Sequence, residues 1–172
     1  MRLMFVDVTV RRVRADDGPV LKAVRLAALL ESPSAFGSNH AAEVDQPDDH
    51  WVSRASLGAS GRRSVTLFAI VDQSVVGIVG AYRSDPVGSS IELVSMWVSP
   101  AQRRVGIAAK LVEAVVGWAR ETDAASVDLW VTQGNDAAVR LYEAAGFRET
   151  GEHQPLPSSP CKNELRMRRA LG

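Results

Sequence analysis

The feature that most constrains this chain is the order of three segments between Ser90 and Arg120. A strand-like apolar run from about Ser90 to Val98 is closed by Pro100, and from Val105 to Arg120 apolar residues return at helical spacing. Ile107, Ala108, Leu111, Val115 and Trp118 share one helical face, with Lys110, Glu113, Gly117 and Arg120 opposite. The turn between them, Ser99 to Ala108, places small residues where the chain enters the helix. Free backbone N–H groups and the positive end of the helix dipole there face any bound anion, and Gly106 lets the backbone approach closely. A pyrophosphate suits such a turn, with Arg103 and Arg104 adding charge. Taken alone, the same residues equally suit a plain strand-to-helix turn whose arginines are solvated.

Around this centre the pattern reads as alternating strands and helices. Val6 to Val13 is a strand, and Asp16-Asp17-Gly18-Pro19 starts a helix with an acidic cap and an early proline, running to about Glu31. A long loop, Ser32 to Pro47, leads to a short helix at Asp49 to Leu57. Val65 to Val71 and Val75 to Tyr82 flank Asp72-Gln73-Ser74 as a hairpin. Val127, Leu129 and Val131 mark a further strand, Asn135 to Ala145 a helix ended by Gly146, and Phe147 the start of another strand. Pro155 to Pro160 reads as a loop before a last strand, Asn163 to about Ala170.

The bulk numbers narrow the function classes. The chain's 172 residues suit a single domain, 1–172, because domains hold about 100 to 200 residues. Its 20 basic and 20 acidic residues cancel, so no global field favours nucleic acid or an anionic membrane. The lone Cys161 forms no internal disulfide, which fits a reducing, cytoplasmic setting. Met1 to Val10 lacks the apolar region and cleavage site of a signal peptide, and no run approaches the ~18 apolar residues of a membrane span. No Cys/His spacing resembles a zinc site, and Asp48-Asp49-His50 lacks a second ligand cluster, so no metal is expected.

The turn resembles the acetyl-CoA signature of the GNAT N-acetyltransferase family, Arg/Gln-x-x-Gly-x-Gly/Ala, matched by Arg103-x-x-Gly106-x-Ala108. Asn135-Asp136-Ala137-Ala138 through Leu141-Tyr142-Glu143-Ala144-Ala145-Gly146-Phe147 is similar to the family's second motif, and the two cover about 60 residues. The resemblance implies an α/β (α+β) fold, a mixed, mostly antiparallel sheet splayed at its centre with helices on both faces. It implies acetyl-CoA as cosubstrate, lying between the strands at Ser90 to Val98 and Ser126 to Thr132. Backbone groups of Met96, Trp97 and Val98 then meet the acetyl carbonyl and pantetheine arm. The amides of Arg103, Arg104, Val105, Gly106, Ile107 and Ala108 meet the pyrophosphate.

An acceptor amine with a pKa of about 10.4 must lose a proton to react. Glu92, on the central strand, is the candidate base, where burial raises its pKa; its alternative is a bystander at the strand's exposed beginning. Where some relatives carry a second Glu, this chain has Trp130. By resemblance Tyr142 protonates the departing thiolate; otherwise it is a core tyrosine. Asn135 caps its helix, bonds the pantetheine arm, or both. Cys161, in a Pro/Ser-rich loop without an activating partner, argues for direct transfer over an acyl-enzyme. The loop from Glu31 to His50, with Glu43, Asp45, Asp48 and Asp49, either borders an acceptor site and attracts an amine or, as is commoner, carries solvated loop acids. The acceptor is a small-molecule amine first, a peptide or protein amine second, with a non-catalytic acyl-CoA-binding module third; a homodimer stays open.

Overall fold

The computed structural model describes residues 7–85 and 88–172. Seven strands form one sheet in the order β1-β2-β3-β4-β5-β7-β6. They are β1 (Thr9–Arg12), β2 (Ser64–Val71), β3 (Ser74–Arg83), β4 (Ser90–Val98), β5 (Ser126–Thr132), β6 (Arg148–Leu156) and β7 (Ser159–Ala170). Every neighbouring pair is antiparallel except β4–β5. Parallel neighbours need a long crossover, and helix α4 (Ile107–Glu121) supplies it.

The sheet is covered on both faces because its central strands are apolar on both. Leu67, Ala69, Val79 and Leu93 pack in one core with Leu111, Val112, Val115 and Val116 of α4. Phe68 and Ile78 turn to the other face, against Leu21 and Val24 of α1 (Gly18–Glu31) and Trp51 and Ala55 of α3 (Asp48–Ser60). Helix α5 (Asp136–Ala144) lies between β5 and β6 in sequence and adds Tyr142 to the α4 core.

The structure departs from the sequence pattern in four places. The first strand is Thr9–Arg12, and Val6 lies outside the described residues. Asp17 precedes α1 but makes no cap bond; its carboxylate accepts from the Arg14 N–H at 2.7 Å and from Arg11 at 2.6 Å. The Ser32–Pro47 loop contains a 3-10 turn, Pro33–Ala35, and a single helical turn, α2 (His40–Glu43), capped by the Asn39 side chain on the Ala42 N–H. Pro155 to Pro160 is not an open loop: β6 and β7 pair through to Leu156 and Ser159 around Pro157-Ser158, because the proline at 155 stands where sheet pairing is already irregular. Cys161 is therefore an exposed residue of β7, with its Sγ 3.3 Å from the Ser159 hydroxyl.

Candidate functional site

The site starts from a register change in β4. Gly80 faces Val94 and Ile78 faces Trp97, so Ser95 and Met96 stand opposite Val79 alone, and Ser95 takes a φ of 58°. Such a bulge bends its strand and sharpens the twist. The β4–β5 ladder runs from Ser90↔Ser126 to Leu93↔Leu129 and ends there, while β5 stays paired to β7 through Trp130↔Arg166 and Thr132↔Glu164. Beyond Leu93 the two central strands part, as the resemblance implied. Met96, Trp97 and Val98 lie on the diverging half of β4, with its β5-side edge unpaired.

The turn into α4 is built for close approach. Gly106 sits at φ 84°, and a Cβ built on it meets nothing within 4 Å. The first helical hydrogen bond here is Lys110 N–H to Gly106 O at 3.1 Å, so the amides of Gly106, Ile107 and Ala108 point ahead of it, beyond the helix's own acceptors. Ile107 is buried and anchors the helix start, whereas Arg104 and Val105 are exposed. Open space over a glycine, beside outward amides at a helix N-terminus, fits a pyrophosphate.

Arg103 is engaged differently from a free phosphate ligand. Its Nε donates to Val98 O at 2.9 Å and its Nη2 to Glu31 at 2.6 Å. Glu31 also accepts from Trp97 Nε1 at 2.9 Å and from the Ser32 hydroxyl. These partners, Arg103 first, hold its carboxyl down at about 2. Glu31 thus ties the end of α1 to β4 and to the turn, a role the sequence reading missed. The available signal was an acid closing a helix, where the dipole disfavours it unless a partner compensates.

On the α1 side of the splay lies a cleft of about 420 Å³. Glu92 is in its wall, only 7% exposed, so the reading of an exposed strand beginning does not hold. Burial pushes its carboxyl above the usual range; the Arg166 charge opposes this, and Asp128 and Glu164 reinforce it. Asp128, fully buried, accepts from Arg166 Nη2 at 2.6 Å and Arg168 Nε at 2.7 Å, and Arg166 stacks 5.6 Å from the Trp130 ring centroid. Trp130 itself lines the cleft. The roof is pinned from far away in sequence: Thr132 Oγ1 donates to Ser34 O at 2.8 Å and Ser158 Oγ to Phe36 O at 2.5 Å.

A second group lies where α1 and α3 meet. Arg25 grips Glu43 through Nε at 3.0 Å and Nη2 at 2.8 Å, and its Nη1 donates to Ser95 Oγ at 3.1 Å. Arg54 donates to the same Glu43 at 3.2 Å. Glu43 is buried, and this corrects its reading as a solvated loop acid; burial works against its charge, but Arg25 and its other partners hold its carboxyl down at about 2.

Tyr142 does not line the cleft. It is buried on α5 in the α4 core, edge-on to Phe147 at 5.8 Å between ring centroids. Burial pushes its phenol well up, so it stays protonated. Asn135 caps α5, its Oδ1 accepting from the Ala138 N–H at 3.3 Å.

The fold is shared with solved acetyltransferases. A putative acetyltransferase from Salmonella typhimurium, solved with its cofactor acetyl-CoA, superposes with a TM-score of 0.80 at 17% identity, over 96% of this chain and 95% of that one. The chain belongs to the acetyltransferase (GNAT) family, whose model matches residues 26–147. It is 35% identical to a probable N-acetyltransferase, camello, of Xenopus laevis over 48% of this chain and 37% of that protein. It is 38% identical to N-acetylaspartate synthetase of Rattus norvegicus over 52% of this chain and 30% of that protein. The chain thus spans about a third of the length of these relatives. Among the described residues no helix is long and apolar enough to cross a membrane.

Proposed function

We propose that the chain transfers acetyl from acetyl-CoA to the primary amine of a small molecule, directly and within a ternary complex. The observation that carries this reading is the end of the β4–β5 ladder at Leu93, which opens the sheet between the glycine turn and the cleft that holds Glu92. Acetyl-CoA supplies an activated thioester. The amides of Gly106 to Ala108 bind its pyrophosphate, Arg104 adds an exposed charge, and the unpaired edge of Met96 to Val98 orients the pantetheine arm and acetyl carbonyl.

The acceptor enters as an ammonium, and Glu92 takes one proton from it; the freed amine forms the C–N bond at the carbonyl as the C–S bond breaks. The sulfur leaves with the bonding pair and receives a proton from Tyr142, which regains one from the nitrogen through solvent. The sum is ammonium plus thioester to amide, thiol and one released proton. Tyr142 stays neutral and so holds a proton to give, although burial makes it a weaker acid, and a base whose pKa is raised by burial suits the acceptor role.

The pinned roof at Ser34 and Phe36 narrows the cleft and supports a small acceptor over a polypeptide. The name N-acetylaspartate synthetase points the same way for that relative. The test follows CoA release with acetyl-CoA over polyamines, aminoglycosides, amino acids and peptides. Turnover of small amines is expected. Turnover of peptides alone replaces the reading with a peptide acetyltransferase, and tight acetyl-CoA binding with no acceptor replaces it with a binding module.

A further inference from the structure

The cleft beside the sheet splay is electrically two-ended. At its α1 wall stands Arg25, paired with Glu43; Arg54, outside the cleft lining, shares that carboxylate, so two guanidiniums meet a single negative charge. Arg25 is only 6% exposed and lines the cleft. A guanidinium has five N–H donors, and three are engaged, with Glu43 twice and with Ser95 once. One hydrogen on each terminal nitrogen remains to be given. Burying an excess cation is costly unless an anion meets it.

The opposite wall has the reverse imbalance. Glu92 and Glu164 are both buried and both line the cleft, yet the nearby cations are committed elsewhere, Arg168 to Asp128 and Arg166 to Asp128 and Glu152. Among the described residues neither Glu92 nor Glu164 forms an ion pair; Glu164 accepts one hydrogen bond, from Gln154 Nε2 at 2.8 Å. Ser95, at the β4 bulge, stands between the two ends, three residues beyond Glu92 and bonded to Arg25. A ligand that neutralises both walls carries a cation and an anion.

Resting on the acetyltransferase reading, we infer that the acceptor is an amino carboxylate, a small zwitterion whose ammonium meets Glu92 and Glu164 and whose carboxylate meets Arg25 and Ser95. The planar fork of Arg25 matches a carboxylate. Its fixing by Glu43 and by the Phe36 ring, 5.0 Å away, keeps the free hydrogens in one place. Arg25 is a specificity-determining residue and takes no part in the bond changes.

The experiment measures kcat/KM on the whole chain with acetyl-CoA for matched acceptors: phenylalanine, its primary amide and phenethylamine, then methionine, its amide and 3-(methylthio)propylamine. The amino acid should exceed both carboxylate-free partners by about 10²-fold, since a site built for a charged hydrogen-bonding group rejects analogues that lack it. Arg25→Gln should cut kcat/KM for the amino acids by at least about 10-fold more than for phenethylamine. Because that change unseats Glu43, Arg54→Gln is the second variant; it removes the excess charge and should raise KM for the amino acids only. Equal or better turnover of the carboxylate-free amines overturns the inference and leaves the acetyltransferase reading standing. So does activity confined to polyamines, aminoglycosides or peptides. No turnover of any amine by a chain that binds acetyl-CoA overturns both.

Discussion

Gly106→Ala separates the work of the turn from its strain. Gly106 has a φ of 84°, a conformation that costs an L-residue about 1–2 kcal/mol. For a chain of 172 residues, each kcal/mol lowers Tm by about 2–4 °C, so the variant should melt about 2–8 °C lower. The same Cβ projects into the space left open above the outward amides. Losing the close approach of an anion to those amides should forfeit a charge-assisted bond, about 1.5–3 kcal/mol, or about 10- to 100-fold in Kd for acetyl-CoA. Gly151→Ala is the matched control. Gly151 has a φ of 88° and nothing within 4 Å of its built Cβ, but it lies in β6, away from α4. Differential scanning calorimetry should find similar losses of stability in both variants. Isothermal titration calorimetry should find weakened acetyl-CoA binding in Gly106→Ala alone. Wild-type affinity in Gly106→Ala, or equal weakening in both, refutes the pyrophosphate assignment.

Three further outcomes follow from the same geometry. Glu92→Gln should lower kcat by about 10²-fold and remove the acid limb of the kcat/KM profile. Burial raises the folded-state pKa of Glu92, so its favourable contribution is complete below the unfolded value and is lost as pH rises through the folded one. The variant should therefore melt higher than wild type near pH 8, with the gap closing in acid; an unchanged pH–rate profile counts against the base role. Tyr142→Phe should keep the fold and acetyl-CoA affinity while lowering kcat by about 10- to 100-fold in single-turnover measurements, and wild-type kcat with chemistry rate-limiting returns Tyr142 to a packing role. Asp128→Ala strips a fully buried carboxylate from Arg166 and Arg168 and should cost about 3 kcal/mol in urea unfolding, the low end for such a loss because both guanidiniums reach solvent.

The sequence by itself determined the local elements and the turn. Helical spacing from Ile107 to Trp118 and the strand from Ser90 to Val98 were legible because each depends on residues within a few positions. Gly106 was legible for the same reason, since the left-handed backbone it adopts is a property of one residue and its neighbours. Tertiary structure decided what the side chains do. Glu31 meets Arg103 across 72 positions, Arg25 meets Ser95 across 70, and Thr132 reaches Ser34 across 98. No periodicity encodes such pairs, because they arise only when separate elements stack on the sheet. The burial of Glu43 was hidden likewise, and that of Glu92 stayed open between two readings, because an acid's exposure depends on what the remote chain lays over it. Even the splay, implied by family resemblance, has its physical cause in the bulge at Ser95, where β4 turns away from β5 while β5 remains paired to β7.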